Sequence, residues 1–181
     1  MSGRPFINMH GLGNDFVVVD ARTEPFPLTD ALAKAIADRR EGVGCDQLLI
    51  LEPPTNGSAD VFLRIRNHDG GEVGACGNGT RCVASLVMRE LGREAITIET
   101  AAGLLTARAA GPAAVTVDMG EARLDWQDIP LSEQRDTLHL GIESGPLKDP
   151  VGVNMGNPHA VFFVEEDVEA LPLTELGPTL E

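Results

Sequence analysis

Basic residues are scarce in this chain: 14 Lys and Arg stand against 28 Asp and Glu, a formal net charge of −14 over 181 residues. A nucleic-acid partner requires a basic surface that displaces phosphate counterions, so that class of function is excluded. Long apolar runs are missing too. None approaches the roughly 20 residues of a membrane-spanning helix, and Met1-Ser2-Gly3-Arg4-Pro5-Phe6-Ile7-Asn8 has no apolar core of a secretory signal. Cysteine occurs only at positions 45, 76 and 82, an odd set without the spacing of a zinc site or a disulfide framework. The expected compartment is a reducing cytoplasm, and neither membrane nor nucleic acid is an expected partner. No group of His, Cys, Asp and Glu has metal-ligand spacing, and Gly42-Val43-Gly44 lacks the third glycine and the preceding strand of a nucleotide fingerprint. Neither metal nor cofactor is expected.

What is present is a globular composition, 43% hydrophobic and 23% charged, long enough for one large domain or two small ones. Phe16–Asp20 is short and β-branched, and Gln47–Leu51 is apolar and stopped by Pro53-Pro54, so both read as buried strands. Val61–Arg66 alternates apolar and charged residues, as a half-buried strand does. Thr29 is placed to cap a helix running to Arg39 or Arg40. A second helix is predicted from Thr80 to Leu91, where Val83, Leu86, Val87 and Leu91 share a face and Gly92 suits the C-terminal cap. Ile96–Thr100 and Leu104–Ala109 read as a hairpin about Ala102-Gly103. Gly111-Pro112 reads as a break, which sets domains at 1–113 and 114–181, the second opening on a strand Val115–Met119. Val151–Val153 and Ala160–Val164 read as strands flanking Gly156-Asn157-Pro158-His159, and Leu173–Glu181 as the start of a helix.

A short internal echo accompanies this alternation. Asn8-Met9 and then Gly13-Asn14 precede one strand, and Asn154-Met155 and then Gly156-Asn157 precede another. Chance produces matches this short, but two like-folded halves would produce it as well. Cys76 lies 62 positions after Asn14, and 62 positions after Asn157 is position 219, beyond Glu181. If the halves correspond, a second Cys-Gly segment belongs there.

The chemistry centres on Ala75-Cys76-Gly77-Asn78-Gly79-Thr80, a cysteine on a glycine-rich turn before a helix. The first N–H groups of a helix lack intrahelical partners and bind anions such as a carboxylate. The same positive end favours a thiolate, and a thiol beside a carboxylate site can move a proton at the α-carbon. The bland alternative is a small apolar residue on a structural turn. Asn14, Gln47, Asn67 and Asn157 lie at predicted strand ends, where neutral amides suit a zwitterion, although each alone also fits a turn or cap. His159 either orients a second group or is structural. Cys45 and Cys82 read as packing residues.

These segments resemble the diaminopimelate epimerases. The resemblance rests on Met9-His10-Gly11-Leu12-Gly13-Asn14-Asp15-Phe16, Gly42-Val43-Gly44-Cys45-Asp46-Gln47, Asn67-His68-Asp69-Gly70-Gly71-Glu72-Val73, Ala75-Cys76-Gly77-Asn78-Gly79-Thr80-Arg81-Cys82 and Asn154-Met155-Gly156-Asn157-Pro158-His159-Ala160-Val161, in that order. It implies an α/β fold of the α+β type, with two pseudo-symmetric domains, each a curved sheet around a central helix, the second incomplete here. It implies interconversion of LL- and meso-diaminopimelate without pyridoxal phosphate or metal, in lysine and peptidoglycan precursor synthesis, with a homodimer possible. Cys76 would be one of two catalytic thiols. Gly77 and Asn78 would hold the substrate carboxylate and amino group, Asn14, Gln47, Asn67 and Asn157 would add contacts, and His159 would support the site. The family's later Cys-Gly-Thr segment, Glu-Arg pair, further substrate Asn and returning strand have no counterpart in these 181 residues, so these residues alone are expected to lack interconversion. Two rivals share the first motif: a racemase of the same fold with another amino-acid substrate, and a non-catalytic paralogue that binds amino acids.

Overall fold

The computed structural model describes residues 3–180. They form two compact units, Met1–Gly120 and Glu121–Glu181, each taken here by itself.

In the first unit an eight-stranded sheet runs in the order β1-β2-β3-β4-β6-β7-β8, with β5 paired to β4. The strands are β1 (Ile7–Gly11), β2 (Asn14–Asp20), β3 (Gln47–Glu52), β4 (Val61–Asn67), β5 (Glu72–Val73), β6 (Ala95–Thr100), β7 (Gly103–Gly111) and β8 (Ala114–Asp118). The apolar runs become the central strands. Phe16, Val17, Val18 and Val19 of β2 and Leu48, Leu49, Ile50 and Leu51 of β3 are all buried, because helices cover both faces. Helix α2 (Gly77–Leu91) places Val83, Ala84, Val87 and Met88 against Phe16, Val18, Leu49, Leu51, Leu63, Ile65, Ile96 and Ile98. On the other face, Ala37 of α1 (Asp30–Ala37) and Cys45 pack on Val17, Val19, Leu48 and Ile50. Helix α2 touches both β1 and β8, the two ends of the strand order. A flat sheet cannot bring both edges to one helix, so the sheet curls around α2.

Four expectations shift. The predicted strand at 16–20 begins at Asn14, because β1 pairs with it antiparallel from Ile7↔Val18 to Gly11↔Asn14. The alternation of Ile7 and Met9 with Asn8 and His10 carried that signal, blunted by the exposure of this edge strand. Leu12 and Gly13 make the two-residue turn with φ of 50° and 93°, the all-positive geometry that matches strand twist. Helix α1 ends at Ala37, not Arg39 or Arg40, although Thr29 caps it as expected, accepting from the Leu32 N–H. Helix α2 begins at Gly77, not Thr80, because Cys76 itself is the cap. The Gly111-Pro112 break is no boundary: Pro112-Ala113 turn β7 back antiparallel into β8, and the units part after Gly120 instead of after residue 113.

The second unit carries two hairpins. One joins β9 (Glu143–Ser144) to β10 (Leu147–Lys148), and the other joins β11 (Val151–Asn154) to β12 (Pro158–Val161). Ile129, Leu140 and Leu147 are buried, and Gly152 lets Ile129 and Leu140 close over it, since a Cβ there would lie 3.2 Å from each. The echo is thus expressed as two hairpins, each with a positive-φ glycine, Gly13 or Gly156, just before the asparagine. Strand β12 opens at Pro158 and closes at Val161, where β11 runs out of partners. The helix expected from Leu173 lasts only to Leu176 as α3 and tightens into a 3-10 turn over Gly177–Thr179, because Pro178 has no N–H to continue it. Glu181, the end of that expectation, lies outside the described residues.

Candidate active site

One end of the first unit's sheet gathers most of the residues singled out above. Asn14 opens β2, Gln47 opens β3 and Asn67 closes β4. Because β2 runs parallel to β3 and β4 runs against it, the pairings Phe16↔Gln47 and Gln47↔Asn67 bring these three positions to the same edge. Gln47 Nε2 donates to Asn67 Oδ1 at 2.8 Å, while Gln47 Oε1 is buried without a partner. The start of α2 lies at this edge as well, since Asn78 Nδ2 donates to Asn14 Oδ1 at 2.6 Å.

Cys76 caps α2 in an extended conformation, φ −146° and ψ 109°. Its Sγ receives the Gly79 N–H at 3.4 Å, and its carbonyl receives both the N–H and the hydroxyl of buried Thr80 at 2.8 Å. No acidic residue occupies the first turn of α2, so nothing offsets the positive end of the helix dipole beside the sulfur. Gly79 is required by packing: a Cβ there would lie 2.9 Å from Leu49 Cδ2 and 3.6 Å from Phe16 Cε1. At Gly77 a Cβ would meet only Arg81 Nη1 and Met119 Sδ at 3.8 Å, an ordinary contact, so the protein's own packing does not demand glycine there. A cavity of 370 Å³ reaches Asn78 and Arg81, with Met9, Leu12, Cys82 and Val115 also in its wall.

The other thiols differ from Cys76. Cys45 and Cys82 are buried, and burial pushes both thiols up. Cys82 Sγ donates to the His10 carbonyl at 3.4 Å, which an S–H can do and a thiolate cannot. Asn157 and His159 lie in the second unit, on the β11–β12 hairpin. There Met155 N–H donates to the Asn157 carbonyl at 3.1 Å, and Asn157 Oδ1 is 3.2 Å from His159 Nε2.

The residues adjoining this edge that sequence reasoning passed over are charged. Arg39 donates to both oxygens of Asp15, at 2.7 and 2.8 Å, and to Asp46 Oδ1 at 2.9 Å. The Arg39 guanidinium and the Asp46 N–H hold the Asp15 carboxyl well below the usual carboxylate range. Asp46 Oδ2 in turn accepts from Asn14 Nδ2 at 3.3 Å and from the Asp15 N–H at 3.0 Å. Arg81 donates to Asn78 Oδ1. Their signal was adjacency: Asp15 follows Asn14, and Asp46 precedes Gln47.

The model of the family described as diaminopimelate epimerase matches residues 6–124. This chain belongs to the diaminopimelate epimerase family. It is 61% identical to a diaminopimelate epimerase of Rhodospirillum centenum over 178 residues, covering 98% of this chain and 61% of that protein. To a diaminopimelate epimerase of Acidiphilium cryptum it is 53% identical over 180 residues, 99% of this chain and 64% of the relative. The chain therefore spans somewhat under two thirds of these relatives' length. Among solved structures, a probable proline racemase from Agrobacterium radiobacter K84 matches with a TM-score of 0.64 at 16% identity, over 95% of this chain and 52% of its own. That likeness extends the fold beyond the diaminopimelate epimerase family to a racemase. Among the described residues no group of three or more His, Cys, Asp or Glu is arranged to hold a metal, and no helix is long and apolar enough to cross a membrane.

Proposed function

We propose that this chain serves in a diaminopimelate epimerase, in which Cys76 acts as one acid/base thiol in the pyridoxal-phosphate-independent interconversion of LL- and meso-diaminopimelate. The observation that carries the reading is Cys76 at the N-cap of α2, its Sγ already receiving the Gly79 N–H. Inversion at an α-carbon removes a proton from one face and delivers one to the other, and a thiol held at a helix N-terminus serves one face. Cys45 and Cys82 are buried, which leaves Cys76 as the thiol suited to the task.

The surroundings fit an amino-acid substrate. The N–H groups of Gly77 and Asn78 open the helix and have no intrahelical acceptor, so an α-carboxylate can take them. The lack of any clash at Gly77 supports this, because the close approach of a ligand accounts for a glycine that internal packing leaves unexplained. Asn14, Asn78, Gln47 and Asn67 supply neutral donors and acceptors for a zwitterion, and the unpartnered Gln47 Oε1 is an acceptor for an ammonium group. Within the second unit, His159 orients the Asn157 amide through their 3.2 Å pair. The family membership supports diaminopimelate as the substrate and lysine and peptidoglycan precursor synthesis as the setting.

The test is exchange of the α-proton of LL- and meso-diaminopimelate in deuterium oxide by the complete epimerase in which this chain serves. Replacing Cys76 with Ala is expected to slow exchange by at least about 100-fold, the scale of a lost general acid/base, while the protein stays folded. Exchange that persists unchanged in the Cys76→Ala protein would sink the assignment.

A further inference from the structure

The amides of Asn14 and Asn78 lie between two groups of fixed polarity. An ionised carboxylate only accepts hydrogen bonds, and a guanidinium only donates them. Asn14 Nδ2 donates to Asp46 Oδ2 at 3.3 Å, Asn78 Nδ2 donates to Asn14 Oδ1 at 2.6 Å, and the Arg81 guanidinium donates to Asn78 Oδ1. An asparagine amide has nearly the same shape after a half-turn, which exchanges donor for acceptor. Here the half-turn is blocked at both amides. Turning Asn14 would set its oxygen against the Asp46 carboxylate, and turning Asn78 would set its NH₂ against Arg81.

The carboxylate that begins this relay is itself held. Its Oδ2 also receives the Asp15 N–H at 3.0 Å, its Oδ1 receives Arg39 at 2.9 Å, and its own N–H donates to Asp15 Oδ1 at 3.0 Å. Asp15 and Asp46 would repel each other if left alone. Arg39, bridging both, removes that cost and fixes their orientation.

We propose that Asp46, clamped by Arg39, is a positioning residue: from one end of the relay it sets the amide polarity of Asn14, and together with Arg81 at the other end it holds Asn14 and Asn78 in one orientation. The inference rests on the substrate-site reading above for its consequence, though not for its geometry. Each amide spends one N–H and one lone pair inside the relay and keeps one of each for a ligand. A fixed polarity presents an α-carboxylate and an α-ammonium with one pattern of donors and acceptors. A neutral amide at position 46 would accept or donate equally well, which leaves Arg81 alone, acting through Asn78, to set the polarity of Asn14, so the Asn14 amide would be less firmly held toward the ligand.

Kinetics and side-chain amide NMR together test this. The Asp46→Asn protein is expected to lose about tenfold in kcat/KM, chiefly through KM, the scale of one well-placed hydrogen bond. It is also expected to shift the side-chain amide resonances of Asn78, a residue whose side chain bonds to Asn14 and not to Asp46. In the double variant Asn14→Asp/Asp46→Asn the new amide donates to the new carboxylate, whose other oxygen still accepts from Asn78, so the Asn78 resonances return toward their original position. Arg39→Lys keeps every relay member and loosens the clamp, and it is expected to give a smaller shift in the same direction even if Asp46→Asn fails to fold. Unchanged Asn78 resonances in a folded Asp46→Asn or Arg39→Lys protein would overturn the proposal. So would a double variant whose Asn78 resonances stay as displaced as in the single. A complete wild-type epimerase that exchanges no α-proton would defeat the functional reading and leave the relay to be decided by the Asn78 resonances.

Discussion

Two residues three positions apart meet opposite demands. Under the proposed function Cys76 must keep its sulfur open to a ligand while capping a helix, and Gly79 must keep its α-carbon bare so that the helix can lie on the sheet. A Cβ at Gly79 would come within 2.9 Å of Leu49, a residue with no exposure to solvent. Leu49 sits among close-packed neighbours and cannot move aside without strain. Gly79→Ala is therefore expected to destabilise the first unit by about 1–3 kcal/mol, the usual cost of overpacking a core, measured as a lower urea midpoint with an unchanged slope. The same substitution tilts the start of α2, so proton exchange should fall as well. A Gly79→Ala protein as stable and active as the original would show that the start of α2 is not seated on Leu49 as described.

At the scale of elements, the two helices of the first unit differ in what holds them. Helix α2 is wrapped by the sheet, and tertiary packing sustains it. Helix α1 spans only Asp30–Ala37, buries Ala33 and Ala37, and relies on its cap, where Thr29 Oγ1 accepts the Leu32 N–H at 3.2 Å. A helix of two turns is marginal without such support. Thr29→Ala is expected to cost about 1 kcal/mol of stability, and hydrogen exchange should show earlier opening across Asp30–Ala37. Arg39 lies just past this helix, so looser capping should also weaken the clamp on Asp15 and Asp46. The strand ends show how legible the site was. Each of Asn14, Gln47 and Asn67 could be placed at a turn by its neighbours, yet only the register of β2, β3 and β4 aligns them at one edge.

For the whole molecule, the acidic composition combines with carboxylates that folding holds ionised. Arg39 holds Asp15 low, Arg22 holds Asp20 low, the Glu41 and Arg40 N–H groups hold Asp38 low, and Thr55 and the Asn56 N–H hold Glu99 low. A folded value below the unfolded one means that the unfolded chain binds more protons in between. That stability is complete above about pH 4 and is lost as pH falls through the depressed folded values. His139 runs the other way: Asp149, 2.7 Å away, raises it, so its contribution is complete below about pH 6.5 and is lost above. The urea midpoint should be highest between about pH 5 and 6.5 and should fall steeply below pH 4. An Arg39→Met protein should show a shallower acid limb. A midpoint that is flat from pH 6 down to pH 2 would contradict this.

The sequence alone determined the buried strands, the cap at Thr29, the αL stop at Gly92 and the candidate thiol, because each follows from neighbours within a few positions. Family membership was legible for the same reason, in ordered short motifs. Tertiary structure decided that Cys76 itself begins α2, that β8 belongs with the first sheet, and that Asp46 and Arg39 stand behind Asn14. Asp46 lies 32 residues from Asn14 in sequence, and Arg39 lies 24 from Asp15. Hydrogen bonds between side chains at such separations exist only once strand register brings them within about 3 Å, and no local pattern encodes that.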